Sequence, residues 1–538
     1  MKTRAEVTAD KLRGGFYTPP SLVAQTIQRA VALCGDRNDL RVLEPSAGDG
    51  AFILGLVNSG LAGRVTDVTA VELIAHEAEA CRDAFAEADL PGRVVNDDFI
   101  AWRSSNDRVY DAAIGNPPFV RFQFVDDDTK ALAADLAVSL DLEVRRVSNL
   151  WIPVLLGALS RLRDGGAFAF VIPAECFTGV SAGAVRIWLM RHCEKVTFDL
   201  FPPGSFPDVL QEVVILSGRR RSLRREVGTL RVVEHEANKE WTQTVPATAD
   251  TWTRYLLEPA QLGALSEAAA LPQVRQLGRV AKFEVAAVTG ANDFFSVDAA
   301  TLEEHGLHAW ATPLLPRIRH APGLVYAEAD HAGLVAKGAN AALLDFSSDR
   351  PDPAANAGAT AYLRSGEEQG IHRRYKTRIR SPWYRVPYVR SEPMMLSKRS
   401  HRYPRVVLNE VGAVTTDTIY RGRLADGAPV DERDFVAAFH NSLTLLTAEV
   451  EGRSFGGGVL ELVPSEVARL RIPVVPGFGA ELPRFDAVVR ECESLESDSL
   501  VEETNVFLTK ASFGLTSELL DQLEAGRRRL ASRRLSRG

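Results

Sequence analysis

The chain has 538 residues, so it is too long for a single small binding module and allows about three or four domains of roughly 150 residues. An apolar fraction of 46% and a charged fraction of 25% exclude a wholly disordered or fibrous chain. The formal net charge of −7 argues mildly against a nucleic-acid partner, because domains that bind nucleic acid are often basic.

The first 220 residues alternate short apolar strands with helix-like segments, and glycine or polar residues follow most of the strands. Strands separated by helical patterns predict β/α units on a mostly parallel sheet, which is an α/β fold. In open sheets of this kind, ligands bind at the carboxyl ends of the strands. The predicted strands cover residues 41–43, 68–71, 94–95, 110–114, 167–172 and 213–216.

The pattern changes after the last of these strands, where five arginines lie between Arg219 and Arg225. From about 275 to 475 the chain has short apolar runs, turns and aromatic residues without β/α alternation, which predicts a mixed α+β domain. From about 480 it is helical and acidic and ends in an arginine-rich tail that we expect to be solvated. We therefore predict domains at 1–225 and 226–475 and a helical C-terminal extension at 476–538.

The first chemistry-bearing segment is the glycine turn after the first strand. Glu44 ends that strand, and Gly48 and Gly50 allow the following turn to approach a ligand closely. Alone, such a pair of glycines is as consistent with a tight turn that binds nothing as with a ligand-binding turn. Ile53 stands where a dinucleotide fingerprint has its third glycine, which disfavours a nicotinamide-dependent dehydrogenase.

Acidic residues follow the next two strands. Glu72 lies 22 residues after Gly50 and can accept hydrogen bonds from both hydroxyls of a ribose. Asp98 can accept from an exocyclic amine, and the ring of Phe99 can cover an adenine face. Each residue alone is as consistent with a solvated helix start or a polar turn, but in this order they predict a site for a nucleoside-containing cofactor.

The most specific segment is Asn116-Pro117-Pro118-Phe119, directly after a predicted strand. The two prolines fix φ and remove two backbone donors. The acceptors that remain are the side-chain oxygen of Asn116 and the carbonyl of Pro117, and this pair suits a planar NH2 group with Phe119 beside its ring. A rigid turn without chemistry is the alternative.

These motifs resemble those of amino-methyltransferases that use S-adenosylmethionine. Asn116–Phe119 resembles their motif IV, the turn at residues 44–52 their motif I, Glu72 their motif II acid and Asp98-Phe99 their motif III. The segment at 15–20 is similar to motif X. With motif X first and a large C-terminal region last, the order is similar to the gamma class of N6-adenine DNA methyltransferases, the TaqI-like enzymes of restriction-modification systems.

The resemblance implies a Rossmann-like S-adenosylmethionine-dependent catalytic domain at 1–225, a DNA target-recognition domain at 226–475, and transfer to a flipped-out adenine. Asn116, Pro117, Pro118 and Phe119 would be catalytic. The adenine would stack between Phe119 and Phe206, with Phe201 the less favoured alternative to Phe206. S-adenosylmethionine would be bound by Tyr17, Thr18, Pro19, Glu44, Ser46, Ala47, Gly48, Gly50, Glu72, Asp98 and Phe99.

A basic, aromatic-rich segment at 371–405 is the candidate contact with double-stranded DNA. It holds eleven basic residues against one acid, Glu392, with five tyrosines and tryptophans among them. Phosphate and base contacts explain this pattern better than a purely structural role. Segments at 289–294, at 380–384 and at 456–461 with 464–466 also resemble parts of recognition domains. The candidate DNA-binding residues are Arg373, Arg374, Lys376, Arg378, Arg380, Trp383, Tyr384, Arg385, Lys398 and Arg399.

Three other functions remain open. The chain could be a protein-glutamine N5 methyltransferase, although that class is normally shorter and does not need the basic segment. It could be the specificity or modification component of a larger defence complex, or a cytosine-N4 methyltransferase, which usually has serine in place of Asn116. No nuclease motif is evident, so a cognate restriction endonuclease would be a separate protein.

The five cysteines are widely spaced, and the N-terminus has no signal-like apolar run. No stretch of 18 uninterrupted apolar residues occurs either. We therefore expect a cytoplasmic protein that requires no metal and does not contact a membrane.

Overall fold

The computed structural model describes residues 18–142, 149–179, 181–202, 205, 212–455, 457–492, 496–511 and 514–536. These residues form two compact units, and the chain passes from the first to the second after Pro259. Each unit is described by itself.

The first unit is built on one nine-stranded sheet with helices between the strands. Its strands are β1 (Leu40–Glu44), β2 (Val65–Glu72), β3 (Gly92–Asn96), β4 (Tyr110–Gly115), β5 (Leu162–Pro173), β6 (Cys193–Leu200), β7 (Val213–Arg220), β8 (Val227–Glu234) and β9 (Lys239–Pro246). Its helices are α1 (Pro20–Cys34), α2 (Ala51–Asn58), α3 (Ala75–Ala88), α4 (Phe99–Ser104), α5 (Asp127–Ser139), α6 (Trp151–Ser160), α7 (Glu175–Thr178) and α8 (Gly183–His192).

The strand order is β3-β2-β1-β4-β5-β7-β6-β8-β9. The first five strands in this order pair in parallel, β7 lies antiparallel between β5 and β6, and β9 is antiparallel to β8. The predicted α/β fold with a mostly parallel sheet is confirmed. The carboxyl ends of β1, β2, β3 and β4 therefore share one edge of the sheet, where the predicted motifs lie.

Apolar helix faces bury one side of this sheet. Alternate strand residues, including Val42 in β1, Ile114 in β4 and Ile215 in β7, share a core cluster with residues of α1, α2 and α3. Helix α1 begins at Pro20, a position where the missing N–H costs nothing. It contributes Leu22, Val23, Ile27 and Ala30 to the cluster, and so holds the chain just after Thr18 against the sheet.

The second unit combines short strands and helices in several small sheets. Its strands are β10 (Val274–Gln276), β11 (Ala281–Val285), β12 (Ser296–Val297), β13 (Ala311–Leu315), β14 (Val325–Tyr326), β15 (Ala342–Leu344), β16 (Met394–Ser397), β17 (Arg399–Ser400), β18 (Val406–Asn409), β19 (Val414–Thr415), β20 (Ile419–Leu424), β21 (Arg453–Phe455), β22 (Val459–Glu461) and β23 (Arg471–Pro473). The two largest sheets have the orders β11-β20-β16-β18-β14 and β12-β15-β13-β19.

Helices surround these sheets and make up the C-terminal part of the unit. They are α9 (Pro259–Ala270), α10 (Asn292–Phe295), α11 (Ala299–His305), α12 (Glu328–Ala336), α13 (Ala357–Glu368), α14 (Tyr375–Arg378), α15 (Glu432–Phe439), α16 (Ser442–Glu451), α17 (Pro464–Val467), α18 (Leu482–Glu491), α19 (Asp498–Lys510) and α20 (Ser517–Leu535). The mixed α+β character expected for this region agrees with the structure.

The structural division of the chain differs from the predicted domain limits at two places. The first unit extends beyond residue 225 because β8 pairs in parallel with β6, and β9 then pairs with β8. The segment from 476 onward belongs to the second unit, where α20 packs on α16. The boundary at 225 was predicted from the arginine cluster after β7, but the sheet continues past that cluster.

The C-terminal arginine tail was expected to be solvated, and for two of its arginines this is wrong. Arg527 is buried and donates to Glu524 and Asp498. Arg534 is buried as well, and its Nε donates to Oε2 of Glu449 at 2.9 Å. The two arginines are seven residues apart, two helical turns, so both lie on the inward face of α20.

Candidate active site

The turn between β1 and α2 requires glycine at position 50. Gly48 and Gly50 have φ values of +53° and +88°, in the left-handed region that glycine occupies at least cost. A Cβ on Gly50 would lie 2.6 Å from the Cβ of Ala84 and 3.2 Å from the Cα of Cys81 in α3. A Cβ on Gly48 would meet no atom within 4 Å among the described residues. The turn is therefore tight against α3 at Gly50 and open at Gly48.

We expect Gly50→Ala to lower the free energy of unfolding by at least about 2 kcal/mol, because it adds a steric clash to an unfavourable φ. Gly60→Ala is the matched control, since Gly60 also has a positive φ of +73° but faces open space. Urea unfolding of both variants checks this. Equal losses of unfolding free energy in the two variants would show that the clash with α3 does not destabilise Gly50→Ala.

Glu72 ties this turn to the end of β2. Its Oε2 accepts from the backbone N–H of Gly48 at 2.9 Å, and its Oε1 accepts from that of Ile74 at 2.8 Å. The side chain is buried, but each carboxylate oxygen keeps a further lone pair. The carboxylate is thus held in one orientation at the edge where β1 and β2 end.

Glu44 is fully buried at the end of β1, and neither of its carboxyl oxygens has a partner among the described residues. Burial raises the pKa of this carboxyl well above its ordinary range, and the nearby charges of Glu72 and Asp49 raise it further. Burial also raises the pKa of Asp49 and of the Cys81 thiol. A buried, unpaired carboxyl is costly unless a donor reaches it, so this position suits a cationic or hydrogen-bond-donating group.

The end of β3 is joined to the end of β2. The side-chain amide of Asn96 donates to the carbonyls of Glu72 and Leu73, at 2.8 and 3.0 Å. These bonds hold Leu73 with 62% of its surface exposed directly after the acid. Leu73 was not singled out from the sequence, and an apolar residue just after a strand-end acid was the available signal.

Asp98 and Phe99 lie where β3 leads into α4. Oδ1 of Asp98 accepts from the backbone N–H groups of Ile100 and Ala101 and so caps the helix. Phe99 is buried, with its ring centroid 6.0 Å from that of Trp102. Both residues therefore have structural partners in addition to the cofactor role predicted for them.

Asn116 follows β4 and has its side-chain amide fixed on one side only. Its Nδ2 donates to Oγ1 of Thr18 at 3.0 Å, while its Oδ1 is buried without a partner among the described residues. The backbone carbonyl of Asn116 accepts from the hydroxyl of Ser46 at 3.1 Å. Because the bond to Thr18 fixes the amide group and Oδ1 has no partner among the described residues, this oxygen is available to a ligand.

The residues after Asn116 continue along the same edge. Pro117 is buried, and Phe119 packs against the core cluster shared by α1, α2 and α3. Phe201, after β6, packs on the same cluster and stacks on His235 with ring centroids 4.9 Å apart and an interplanar angle of 5°. Of the other predicted site residues, Tyr17 and Phe206 lie outside the described residues.

His235 and Arg29 converge on Asp199, which is buried at the end of β6. Nε2 of His235 lies 2.8 Å from Oδ1 of Asp199, and Nε of Arg29 donates to Oδ2 at 2.8 Å. These three side chains, with Gln25, Gln28 and Ile215, line a cavity of about 260 Å³. The cluster fixes the ring of His235 and, through the stack, the orientation of Phe201.

The predicted DNA-binding residues have two different environments in the second unit. Six are engaged internally. Arg374 pairs with Asp293, and both Arg399 and Lys398 pair with Glu461. Arg380 donates to the backbone carbonyls of Val288 and Thr289. Trp383 and Tyr384 pack on a buried apolar cluster. The other four, Arg373, Lys376, Arg378 and Arg385, are exposed, and the paired Arg374 and Arg399 are exposed as well.

The described residues contain no group of three or more histidine, cysteine, aspartate or glutamate side chains placed to hold a metal ion. Nor does this part of the chain contain a helix that is both long and apolar enough to cross a membrane.

The sheet topology and the strand-end motifs define an α/β domain with a candidate ligand site at the strand ends, and similar proteins indicate the class to which the chain is related. Residues 249–506 match the family model described as the C-terminal domain of type II methyltransferase M.Eco57I. Type II methyltransferase M.AccI of Acinetobacter calcoaceticus is 21% identical over 84% of each chain. M.XamI of Xanthomonas campestris pv. amaranthicola is 23% identical over 87% of this chain and 86% of its own.

A solved structure, the type IIG restriction endonuclease BpuSI, overlaps 98% of this chain and 67% of its own, with 13% identity and a TM-score of 0.44. The family match, over just under half of the chain, and the two type II relatives support the resemblance to methyltransferases of restriction-modification type. The comparisons confirm the predicted resemblance to methyltransferases of restriction-modification systems.

Proposed function

We propose that the protein transfers a methyl group from S-adenosylmethionine to the N6 amino group of an adenine flipped out of duplex DNA. It would protect host DNA in a restriction-modification or related defence system, with a separate restriction endonuclease or defence subunits as partners. The observation that carries this proposal is the side chain of Asn116, whose buried Oδ1 is free while its Nδ2 is bound to Thr18.

The exocyclic nitrogen of adenine is a poor nucleophile because its lone pair is delocalised into the ring. In the proposed mechanism its two N–H groups donate to Oδ1 of Asn116 and to the carbonyl of Pro117. These bonds favour a pyramidal nitrogen and stabilise the positive charge that develops on it, which is electrostatic stabilisation by acceptors. No basic side chain is needed, since the proton can leave after methyl transfer.

The residues at the strand ends fit the parts of S-adenosylmethionine, which supplies an electrophilic sulfonium methyl group. The oriented carboxylate of Glu72 suits the ribose hydroxyls, and the exposed side chain of Leu73 suits an adenine face. The unpaired, buried carboxyl of Glu44 suits the ammonium group of the methionine end. The open side of Gly48 leaves room for close approach.

The target base must leave the helix before it can react. Phe119 would cover one face of the flipped adenine, and stacking of this kind contributes on the order of 1–3 kcal/mol per base. For the second face, the stack of Phe201 on His235 supports Phe201 as well as Phe206. Holding base and methyl donor at attack distance would supply much of the remaining acceleration.

Incubation with S-adenosylmethionine and plasmid DNA, followed by base-resolution detection of modified positions, tests the proposal. We expect N6-methyladenine at one recurring sequence. Methylation of cytosine N4, or methylation of protein glutamine with unmodified DNA, would overturn the adenine assignment.

A further inference from the structure

Three of the most exposed large apolar side chains lie within fourteen residues of the second unit. Tyr375, Ile379 and Tyr388 are 66%, 67% and 74% exposed, and we call them the apolar triad. They lie in a stretch, residues 369–391, that contains seven arginines and lysines and no acid. Exposed apolar groups of this size normally mark a contact surface, and the surrounding charge selects an anionic partner.

The residues between the members of the triad are bonded to the rest of the unit, so the triad is exposed on an ordered segment. Arg380 donates from both terminal nitrogens to the carbonyls of Thr289 and Val288, at 2.7 and 2.6 Å. The indole of Trp383 donates to Glu367 at 3.1 Å and packs with its ring centroid 5.7 Å from that of Phe294. The anchors face the unit, so the triad faces outward.

The backbone at Tyr388 supports a binding role. Its φ is +59°, a left-handed conformation that is uncommon for a bulky residue and costs of order 1–3 kcal/mol. Arg421 donates to its carbonyl at 3.1 Å and helps to hold this conformation. Strain that points an aromatic ring into solvent brings no stability, and such strain concentrates at functional positions.

The cationic side chains near Tyr375 indicate which groups of a ligand this surface would contact. The guanidinium carbon of Arg378 and the Nζ of Lys376 lie 5.5 and 5.7 Å from the centroid of its ring. An exposed ring with cations over it matches a nucleotide, whose base can contact the ring and whose phosphate the cations can neutralise. A peptide partner without acidic residues would leave this set of cations unpaired.

We propose that the apolar triad contacts the bases of duplex DNA, by stacking on or inserting at a base step, while the neighbouring exposed cations contact phosphates. This inference rests on the proposed function and assigns the base contacts to residues other than Trp383 and Tyr384. Apolar side chains that enter a duplex unstack a step and bend it, and the bent DNA then meets more of the protein surface.

Salt dependence of binding separates the two roles. A labelled duplex that the wild-type enzyme methylates is titrated by fluorescence anisotropy over a range of salt concentrations. We expect Tyr388→Ala and Tyr375→Ala to weaken binding by about fivefold to a hundredfold. The slope of log K against log[salt] should stay unchanged, because no phosphate contact is lost.

Two variants serve as controls. Tyr388→Phe keeps the ring and removes the hydroxyl, so it should bind like the wild type. Arg385→Ala removes an exposed cation, so it should reduce the salt slope by about 0.9 for one lost phosphate contact. Tyr375 lies in α14, so its variant repeats the test at a site without the backbone strain of Tyr388.

The outcomes are distinguishable. Unchanged affinity in both alanine variants, or a reduced salt slope in them, would overturn the base-contact role of the triad while leaving methylation of DNA standing. Loss of binding in Tyr388→Phe would likewise overturn it, because a hydroxyl contact to phosphate would then explain the result. A wild-type protein that neither binds nor methylates DNA would instead overturn the proposed function.

Discussion

Replacement of Asn116 by alanine should lower the rate of methyl transfer by at least about a hundredfold and leave the affinity for S-adenosylmethionine unchanged. The reason is the free, buried Oδ1, which the substitution removes, whereas the cofactor contacts are proposed for Glu44, Glu72 and neighbouring residues. Single-turnover transfer of labelled methyl groups to DNA measures the rate. Calorimetric titration with the cofactor measures the affinity.

Thr18 provides the matched test of how Asn116 is oriented. Thr18→Val removes the acceptor for Nδ2 of Asn116 and should slow transfer, whereas Thr18→Ser keeps the hydroxyl and should restore it. Near-normal turnover in Asn116→Ala would remove the acceptor role from the mechanism. Equal rates in the two Thr18 variants would show that the amide needs no partner to stay in position.

Replacement of Arg534 by methionine should lower the free energy of unfolding by about 3–5 kcal/mol. Both Arg534 and its partner Glu449 are buried, and the arginine also donates to the carbonyls of His401 and Arg402. Removing the cation leaves a carboxylate without compensation in a region of low polarity. Urea unfolding monitored by fluorescence provides the measurement.

Arg528→Met is the control on the same helix. Arg528 is half exposed and pairs with Glu524 and Glu502 at the surface, where such pairs contribute about 0–1 kcal/mol. A second variant that combines Arg534→Met with Glu449→Leu should recover part of the loss, since it removes the stranded charge. Equal stabilities for the Arg528 and Arg534 variants would contradict the buried pair.

The parts of the fold that the sequence predicted correctly are those encoded by neighbouring residues. Six of the nine strands of the first unit, the glycine turn at 48–50 and the turn after β4 are local patterns, and parallel strands bring their ends to one edge. The strands β6, β8 and β9 were not predicted. The bond between Thr18 and Asn116 joins residues 98 positions apart, so no local pattern contains it. Likewise, charge counting could not show that Arg380 binds backbone carbonyls or that Arg534 lies inside the second unit, because burial depends on tertiary packing.

The pairing of β6 with β8 decides where the first unit could be separated from the rest of the chain. A fragment ending at 225 would turn β6 into an edge strand, eight residues long and mostly buried in the intact unit, whose uncharged run Val196–Phe198 lies between Glu194-Lys195 and Asp199. Such an edge is a template for pairing with another chain, so that fragment should aggregate. A fragment that continues through Pro259 ends its sheet on β9 instead, where Lys239 and Glu240 are exposed and Pro246 closes the strand. The two last strands thus protect the sheet from self-association.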